Sequence, residues 1–279
     1  MFLTPARFRA GRAGRAVGRL GGVPDVYQKP SLVAEIEEKH ALLGHGDSVA
    51  THRHAHGQLL YPSRGVLATT TERGTWVAPA NRIAWTPPGF EHYHRAYGRT
   101  EVRVVEISGA LCALLPARPA VIAVSPLLRE ALLALTGRRE LRPDARDRLR
   151  QVVVDELAGV GEEALYLPEP ADDRLRAVTD LLHADPATPA TLAELGRAVG
   201  ASERTLSRLF QAELGMSFHH WRSLLRTQHA LIRLAEGDAV TDMAPRLGWA
   251  NPTSFIEAFT AIVGQTPGRY QMELRRTDR

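Results

Sequence analysis

The hydrophobic pattern of the chain changes near Ser125, and this change limits the fold more than any other feature. From about residue 28 to residue 114, short runs rich in β-branched and aromatic residues alternate with Pro and Gly. Such spacing is typical of an antiparallel sandwich or barrel. Beyond Ser125, apolar residues recur at every third or fourth position, as in amphipathic helices. We therefore predict a multidomain protein with an all-β domain followed by an all-α domain.

Three short segments of the β-rich part carry the Gly and Pro that tight reversals require. They read "PSRG" at residues 62–65, "TERG" at residues 71–74 and "TPPGFE" at residues 86–91. Glycine reaches positive φ without strain and proline fixes a negative φ, so both residue types mark turns. We predict that the chain reverses at each of these segments.

The remaining boundaries follow from composition and helix signals. Residues 1–22 carry five arginines and no acid, so we expect a disordered basic arm over residues 1–27. The β-rich sensor is expected at 28–115, and a helical connector, with a possible role in dimerisation, at 116–171. In the connector, Ser125 predicts a helix N-cap and Gly137 a stop. Prolines and acids near residue 170 predict a linker to a last domain at 172–279.

Net charge and cysteine content exclude few classes of protein. A formal net charge of +4 permits an anionic partner such as nucleic acid. Lysine occurs only twice, so the abundance of arginine reflects a coding bias and is weak evidence for DNA binding. The single cysteine, Cys112, rules out an internal disulfide, and no apolar run reaches the length of a membrane span. We expect a cytoplasmic protein without a membrane partner.

Three histidines at alternate positions stand out in the β-rich part. Side chains at every second position of a strand share a face, so His52, His54 and His56 are expected to project together. Neutral imidazole is a ligand for zinc, iron, nickel or copper. The spacing indicates either a metal site or a polar pocket for an organic ligand.

This region resembles the cupin family in two ordered motifs. The first is "GDSVATHRHAHGQLLYPSRG" (residues 46–65) and the second is "PPGFEH" (residues 87–92). The sequence departs from the family at three positions: Gln58 stands where cupins usually have glutamate, Asn81 replaces an opening glycine and Ala96 a closing asparagine. The resemblance implies a jelly-roll barrel that senses a small effector.

The resemblance also implies a set of ligand and pocket residues. The positions that bind a divalent metal in metal-containing cupins are occupied by His52, His54, Gln58 and His92. An amide oxygen is a weaker ligand than a carboxylate, so affinity for a metal is expected to suffer. The effector pocket is then expected to include, besides these four residues, His56, Tyr61, Trp85 and His94.

The last hundred residues contain two similar helix pairs. Residues 191–215 and 239–264 each combine a short helix, a glycine turn and a second helix, capped by Ser202 and by Asn251 respectively. A long apolar helix joins the two helix-turn-helix units, and "GQTPGRY" closes the second. The whole segment resembles the DNA-binding domain of the AraC/XylS family of transcription regulators, in which the second helix of each unit enters a major groove.

The second helix of each unit carries the candidate DNA-reading residues. In the first unit Leu206, Leu209 and Phe210 fall at core spacing, which leaves a polar face opposite them. Arginine pairs with guanine edges, and hydroxyl and carboxylate groups contact other bases. The candidates are Arg204, Thr205, Ser207 and Arg208 in the first unit, and Thr253, Ser254 and Glu257 in the second.

The two units differ in charge. Residues 191–235 carry six arginines against three acids, whereas residues 236–264 carry one arginine against four acids. Pro245 also lies inside the first helix of the second unit, where it removes an amide donor. Affinity for phosphates grows with the number of cationic contacts. We therefore predict that the first unit dominates binding to DNA.

The favoured hypothesis is a regulator rather than an enzyme. A homodimer binding double-stranded DNA would respond to a small effector, with RNA polymerase as a further possible partner. A cupin metalloenzyme, such as a dioxygenase or isomerase with a helical appendage, is the alternative, although an enzyme has no need of two helix-turn-helix units. A third hypothesis is a regulator whose pocket has lost its ligand and serves only in dimerisation.

Overall fold

The structure, a computed structural model, describes residues 36–137, 140–158, 162–163 and 166–276. The predicted basic arm at residues 1–27 lies outside the described residues. The strands are β1 (Ile36–Leu43), β2 (Ser48–His52), β3 (Gly57–Thr71), β4 (Gly74–Pro79), β5 (Arg82–Thr86), β6 (His92–Ile107), β7 (Ala120–Ala123), β8 (Glu162–Glu163) and β9 (Tyr166–Pro168). The helices are α1 (Pro126–Thr136), α2 (Pro143–Ala158), α3 (Asp173–Ala184), α4 (Leu192–Ala198), α5 (Glu203–Leu214), α6 (Phe218–Ala235), α7 (Val240–Arg246), α8 (Pro252–Val263) and α9 (Pro267–Arg276).

An N-terminal domain rich in β-sheet precedes a helical domain, as predicted. All the strand pairs are antiparallel, and the main path through the sheet is β1-β6-β3-β5-β7-β8. Strand β2 also pairs with β6, and β4 pairs with β3 and β9. The long strands β3 and β6 therefore hold most of the sheet together.

The predicted turn at residues 62–65 is wrong. These residues lie inside β3, which continues past them while its pairing with β6 shifts register on both sides of Arg64. Gly65 has a φ of +77° there, so its positive φ serves a bulge instead of a reversal. The turns at residues 71–74 and 86–91 do separate strands.

The sheet continues beyond residue 115, into the segment predicted as a helical connector. Strand β7 pairs with β5 through Ile122 opposite Ile83, and β9 pairs with β4. The Tyr166 ring stacks on the Trp76 ring with centroids 4.5 Å apart. Strands of two to four residues are too short to produce a periodic pattern, so only their partners reveal them.

The two connector helices cover one face of the sheet. Ser125 caps α1 by accepting a hydrogen bond from the Leu128 amide, and the helix ends before Gly137, as predicted. Helix α2 is tied to β1 by the buried carboxylate of Glu38, which accepts hydrogen bonds from Arg146 at 3.1 Å and Arg150 at 2.6 Å. This ion cluster fixes α2 against the sheet.

The second helix-turn-helix unit shares a hydrophobic core with the β domain. Buried side chains of β3, β4 and β7 pack against α6, α7, α8 and α9 in one continuous cluster. Its members from the sheet include Val66, Ala68, Trp76, Val77 and Val121, and its members from the helices include Leu231, Leu234, Phe255, Phe259 and Tyr270. Among the described residues, no helix is both long and apolar enough to cross a membrane.

We predict that Glu38→Ala destabilises the fold, whereas Glu37→Ala does not. Removing the Glu38 carboxylate deletes the acceptor that Arg146 and Arg150 share, at an expected cost of about 1–3 kcal/mol in the free energy of unfolding. Glu37 is exposed on the same strand and serves as the matched control. Urea unfolding of both variants measures the effect, and equal stabilities would contradict it.

Candidate functional site

Three histidines of the β domain converge at one point. His52 ends β2, His54 lies just beyond the end of that strand, and His92 begins β6 directly opposite His52. The ring centroid of His92 lies 4.4 Å from that of His52 and 5.0 Å from that of His54. One ring nitrogen of each histidine lies within 4.8 Å of the others, a spacing that suits three ligands of one metal ion.

A backbone carbonyl orients each of these rings. Nδ1 of His52 lies 2.8 Å from the Ala50 carbonyl, Nδ1 of His54 lies 2.6 Å from the His56 carbonyl and Nδ1 of His92 lies 2.8 Å from the Phe90 carbonyl. Because a carbonyl only accepts, each Nδ1 carries a proton, and in the neutral ring Nε2 then carries the lone pair. Metal-binding histidines are oriented in this way.

Burial and the neighbouring imidazoles lower the pKa of the buried histidines of the cluster. Burial lowers the pKa of His92 to about 4 and that of His94 to about 3, and it also lowers the pKa of His54. The neighbouring imidazoles add to this depression, since protonating one ring disfavours charge on the next. His92 and His94 are therefore unprotonated at neutral pH, the form in which histidine binds a metal.

Several buried polar atoms at the cluster have no hydrogen-bond partner among the described residues. They are Nε2 of His54, His92 and His94, and the side-chain oxygen of Gln58. An unpaired polar atom in the interior costs free energy, and a bound cation or polar ligand would offset that cost. The three histidines thus fit a metal ion that takes imidazole ligands.

His94 and His56 occupy different places beside the three. Nδ1 of His94 lies 3.0 Å from the Thr69 hydroxyl, and its ring centroid is 4.8 Å from that of His92. His56 stacks flat on His54 with centroids 4.4 Å apart, and its Nε2 lies 3.6 Å from Glu106. The prediction that residues 52, 54 and 56 project from one face of a single strand is wrong, because β2 ends at His52.

Tyr61 and Trp85 do not join the histidine pocket, which corrects the prediction. Both side chains belong to the hydrophobic cluster between the sheet and α1 and α2, and the Trp85 indole donates to the Pro116 carbonyl at 2.8 Å. Successive residues of a strand face opposite sides. Tyr61, three positions after Gln58 on β3, therefore faces away from it.

A cavity of about 640 Å³ lies beside His92. Threonines line it together with two arginines, Arg53 and Arg73, two acids, Glu72 and Glu91, and two aromatic residues, Phe90 and Tyr93. The Arg73 guanidinium lies 5.5 Å from the centre of the Phe90 ring. The cavity is large enough for a small organic molecule and offers it hydrogen-bond donors.

The reading helix of the first unit presents the predicted face. Leu206 and Phe210 are fully buried, whereas Arg204, Ser207 and Arg208 are exposed. Thr205 is engaged differently, since its amide donates to the Ser202 hydroxyl as part of the helix cap and its own hydroxyl lies 2.8 Å from that hydroxyl. The Thr205 side chain thus takes part in the N-terminal cap of the helix.

The reading helix of the second unit begins with a similar cap. Asn251 accepts hydrogen bonds from both the amide and the hydroxyl of Ser254, which engages the Ser254 side chain in the cap. Thr253 and Glu257 are exposed, as predicted, together with Ile256. Ile256 was missed because an apolar residue on a helix is normally assigned to a core, but in a major groove it could contact thymine methyl groups.

Two family models match the chain. The model described as an AraC-like ligand binding domain matches residues 37–219, and the model described as a helix-turn-helix domain matches residues 195–273. The first match covers the histidine cluster and the second covers both reading helices.

Two curated relatives are transcriptional regulators by name. The HTH-type transcriptional regulator NimR of Escherichia coli is 33% identical over 222 residues, which span 78% of this chain and 81% of that protein. RipA of Corynebacterium glutamicum is 35% identical over 103 residues, 37% of this chain and 31% of that protein. The solved structure of ToxT from Vibrio cholerae has a TM-score of 0.38 at 11% identity, covering 86% of this chain and 99% of that one.

Proposed function

Because the chain belongs to the AraC family of transcription regulators, we propose that it acts through a cupin-type sensor in which a bound metal and effector control DNA binding. The observation that carries this proposal is the convergence of three carbonyl-oriented imidazoles, two of which, His54 and His92, have a buried Nε2 without a hydrogen-bond partner among the described residues. The chain is a transcription regulator with a ligand-binding domain, and it is not an enzyme. The metal, the location of the effector and the route of control are the finer parts of the proposal.

His52, His54 and His92 would hold the metal, with Gln58 as a fourth ligand. Zinc, iron, nickel and copper all accept imidazole nitrogen. All four protein ligands are uncharged, so the two positive charges of the ion stay uncompensated within the site. In the cavity beside His92, an anionic group of the effector would be attracted by the metal and by Arg53 and Arg73, and repelled by Glu72 and Glu91, which also line the cavity.

Control of DNA binding would pass through the core that the β domain shares with the second helix-turn-helix unit. At the edge of this core, Arg82 donates to the Val263 carbonyl at 3.0 Å and Asn81 donates to the same oxygen at 3.3 Å. Val263 ends the reading helix α8, where carbonyls lack intrahelical partners and a cation is favourable. The loop between β4 and β5 thus holds the end of a reading helix.

The contact from Asn81 gives a physical reason for one departure from the cupin pattern. Glycine usually occupies this position, but a glycine could not reach the Val263 carbonyl. Asn81 and Arg82 together bind the helix end from adjacent positions. A shift of this loop on effector binding would move α8 directly. The effector would then bind two conformations of the protein with different affinity, which is what control of DNA binding requires.

Two further parts of the proposal rest on the family and on charge. The active form would be a homodimer that binds paired DNA sites in the cytoplasm, with RNA polymerase as a contact on activation. The first unit would supply most of the affinity, since it carries the net positive charge and an exposed face with Arg204 and Arg208.

The metal is tested by elemental analysis of the purified protein and of variants. We expect about one divalent ion per chain, lost in His52→Ala and in His92→Ala because each removes one of three imidazole ligands. His220→Ala, which removes an exposed histidine of α6, is the matched control and should keep the ion. Affinity for the protein's own upstream DNA, titrated in parallel, should change with loss of metal. A metal-free preparation with intact DNA binding would contradict the metal-dependent sensor.

The difference between the units is tested by titrating operator DNA with two variants. We expect Arg204→Ala to cost about 1–3 kcal/mol of binding free energy, because it removes a paired contact with a base. Thr253→Ala should weaken binding by less than about threefold, since it removes one contact of the acidic second unit, which supplies the smaller share of the affinity. Equal losses in the two variants would refute the dominance of the first unit.

The route of control is tested by a double-mutant cycle between His92 in the sensor and Arg82 at the contact with α8. If Arg82 transmits the state of the sensor, the effect of His92→Ala on DNA affinity should largely disappear in an Arg82→Met background. Arg142→Met, at an exposed position directly before α2, is the control and should leave the effect intact. An undiminished effect of His92→Ala in the Arg82→Met background would exclude this route.

A further inference from the structure

One buried arginine connects the two helix-turn-helix units. Arg226 lies in the middle of α6, and only 6% of its surface is exposed. Its Nε donates to the Pro186 carbonyl at 2.8 Å and its Nη2 to the Thr188 carbonyl at 3.1 Å. Its Nη1 donates to the Gly248 carbonyl at 2.6 Å.

These three carbonyls come from two segments of the chain, one before the first unit and one inside the second. Pro186 and Thr188 lie in the segment that leads from α3 into α4, the first helix of the first unit. Gly248 lies in the turn between α7 and α8, directly before the reading helix of the second unit. The guanidinium therefore joins the segment before the first unit to the turn of the second unit.

The chemistry of this contact is specific for arginine. Burial lowers the pKa of Arg226 to about 10, but the group stays charged at neutral pH. Backbone carbonyls from two segments stabilise that charge, and the Trp249 ring lies 5.8 Å away. A rigid planar fork can hold three acceptors at fixed positions, whereas the single ammonium of lysine cannot.

The backbones also approach closely at this point. Gly248 has a φ of +73°, and a Cβ there would collide with the Ala187 carbonyl and lie 2.7 Å from Nη2 of Arg226. The turn of the second unit is thus packed directly on the segment before the first. Little free space remains for one unit to move against the other.

We propose that Arg226 is a positioning residue that fixes the separation of the two reading helices and thereby selects the spacing between the two DNA segments they enter. This proposal rests on the proposed binding of DNA by both units. One added base pair moves the second segment by about 3.4 Å along the duplex and rotates it by about 34°. A rigid pair of units cannot follow both changes, so it loses contacts at the second segment.

The experiment measures how strongly the full-length protein prefers one spacing. An operator is selected from random DNA with the unmodified protein. Duplexes are then made with one base pair added or removed between the segment bound by the first unit and the segment bound by the second. A further duplex keeps only the segment bound by the first unit. We expect the unmodified protein to lose roughly tenfold in affinity for each altered spacing.

Two substitutions at Arg226 test the residue itself. In Arg226→Met, which keeps the aliphatic stem, and in Arg226→Lys, which keeps the charge, the spacing penalty should fall below about threefold. Affinity for the first segment alone should stay within about twofold of the unmodified protein, since the first unit keeps its own core. Circular dichroism and thermal unfolding establish that both variants are folded.

Arg222→Met is the matched control. Arg222 lies one turn before Arg226 on α6 and donates to the Ala190 carbonyl at 3.0 Å, ahead of the first unit, while its guanidinium lies over the Phe218 ring. This variant should keep the full spacing penalty.

Three results would overturn the proposal. A spacing penalty retained in both Arg226 variants would show that other contacts fix the units. A loss for the first segment alone as large as that for the complete operator would show a role in folding only. Absence of any penalty in the unmodified protein would refute binding by both units, and with it this proposal.

Discussion

The hydrophobic core shared by the β domain and the second helix-turn-helix unit is the constraint on which the rest of the structure depends. Buried side chains of β3, β4 and β7 pack in one core with side chains of α6, α7, α8 and α9. Helix α6 lies in this core at one end and in the core of the first unit at the other. Sensor, linking helix and reading helices are consequently one packed unit, in which a local shift is transmitted because close-packed interiors resist continuous deformation.

The histidine cluster shows how backbone geometry prepares a site. Each of the three rings gives its Nδ1 proton to a carbonyl two residues away along the chain, so the orientation of the ring depends only on local backbone. Convergence of the rings depends on something else, the pairing of β2 with β6 that sets His52 opposite His92. Local hydrogen bonds choose the tautomer, and the sheet brings the lone pairs together.

Helix starts were the most predictable feature of this chain. Ser125, Ser202 and Asn251 all accept hydrogen bonds from amides of the first turn, because a capping side chain acts on its own neighbours. Features that depend on distant partners were harder to predict. The glycine and proline at residues 62–65 produce a bulge because β6 continues beside β3, and Tyr61 and Trp85 face α1 and α2 instead of the histidines.

The sequence by itself determined the order of a β-rich part and two helix-turn-helix units, the family, and the exposed faces of the reading helices, since these follow from local periodicity and capping. Only the tertiary structure decided which histidines meet, that the sheet includes residues 120–123, and that Arg82 and Arg226 bind the carbonyls of remote segments. The physical reason is that a buried guanidinium is stabilised by acceptors from several segments, and no local pattern records which segments will supply them.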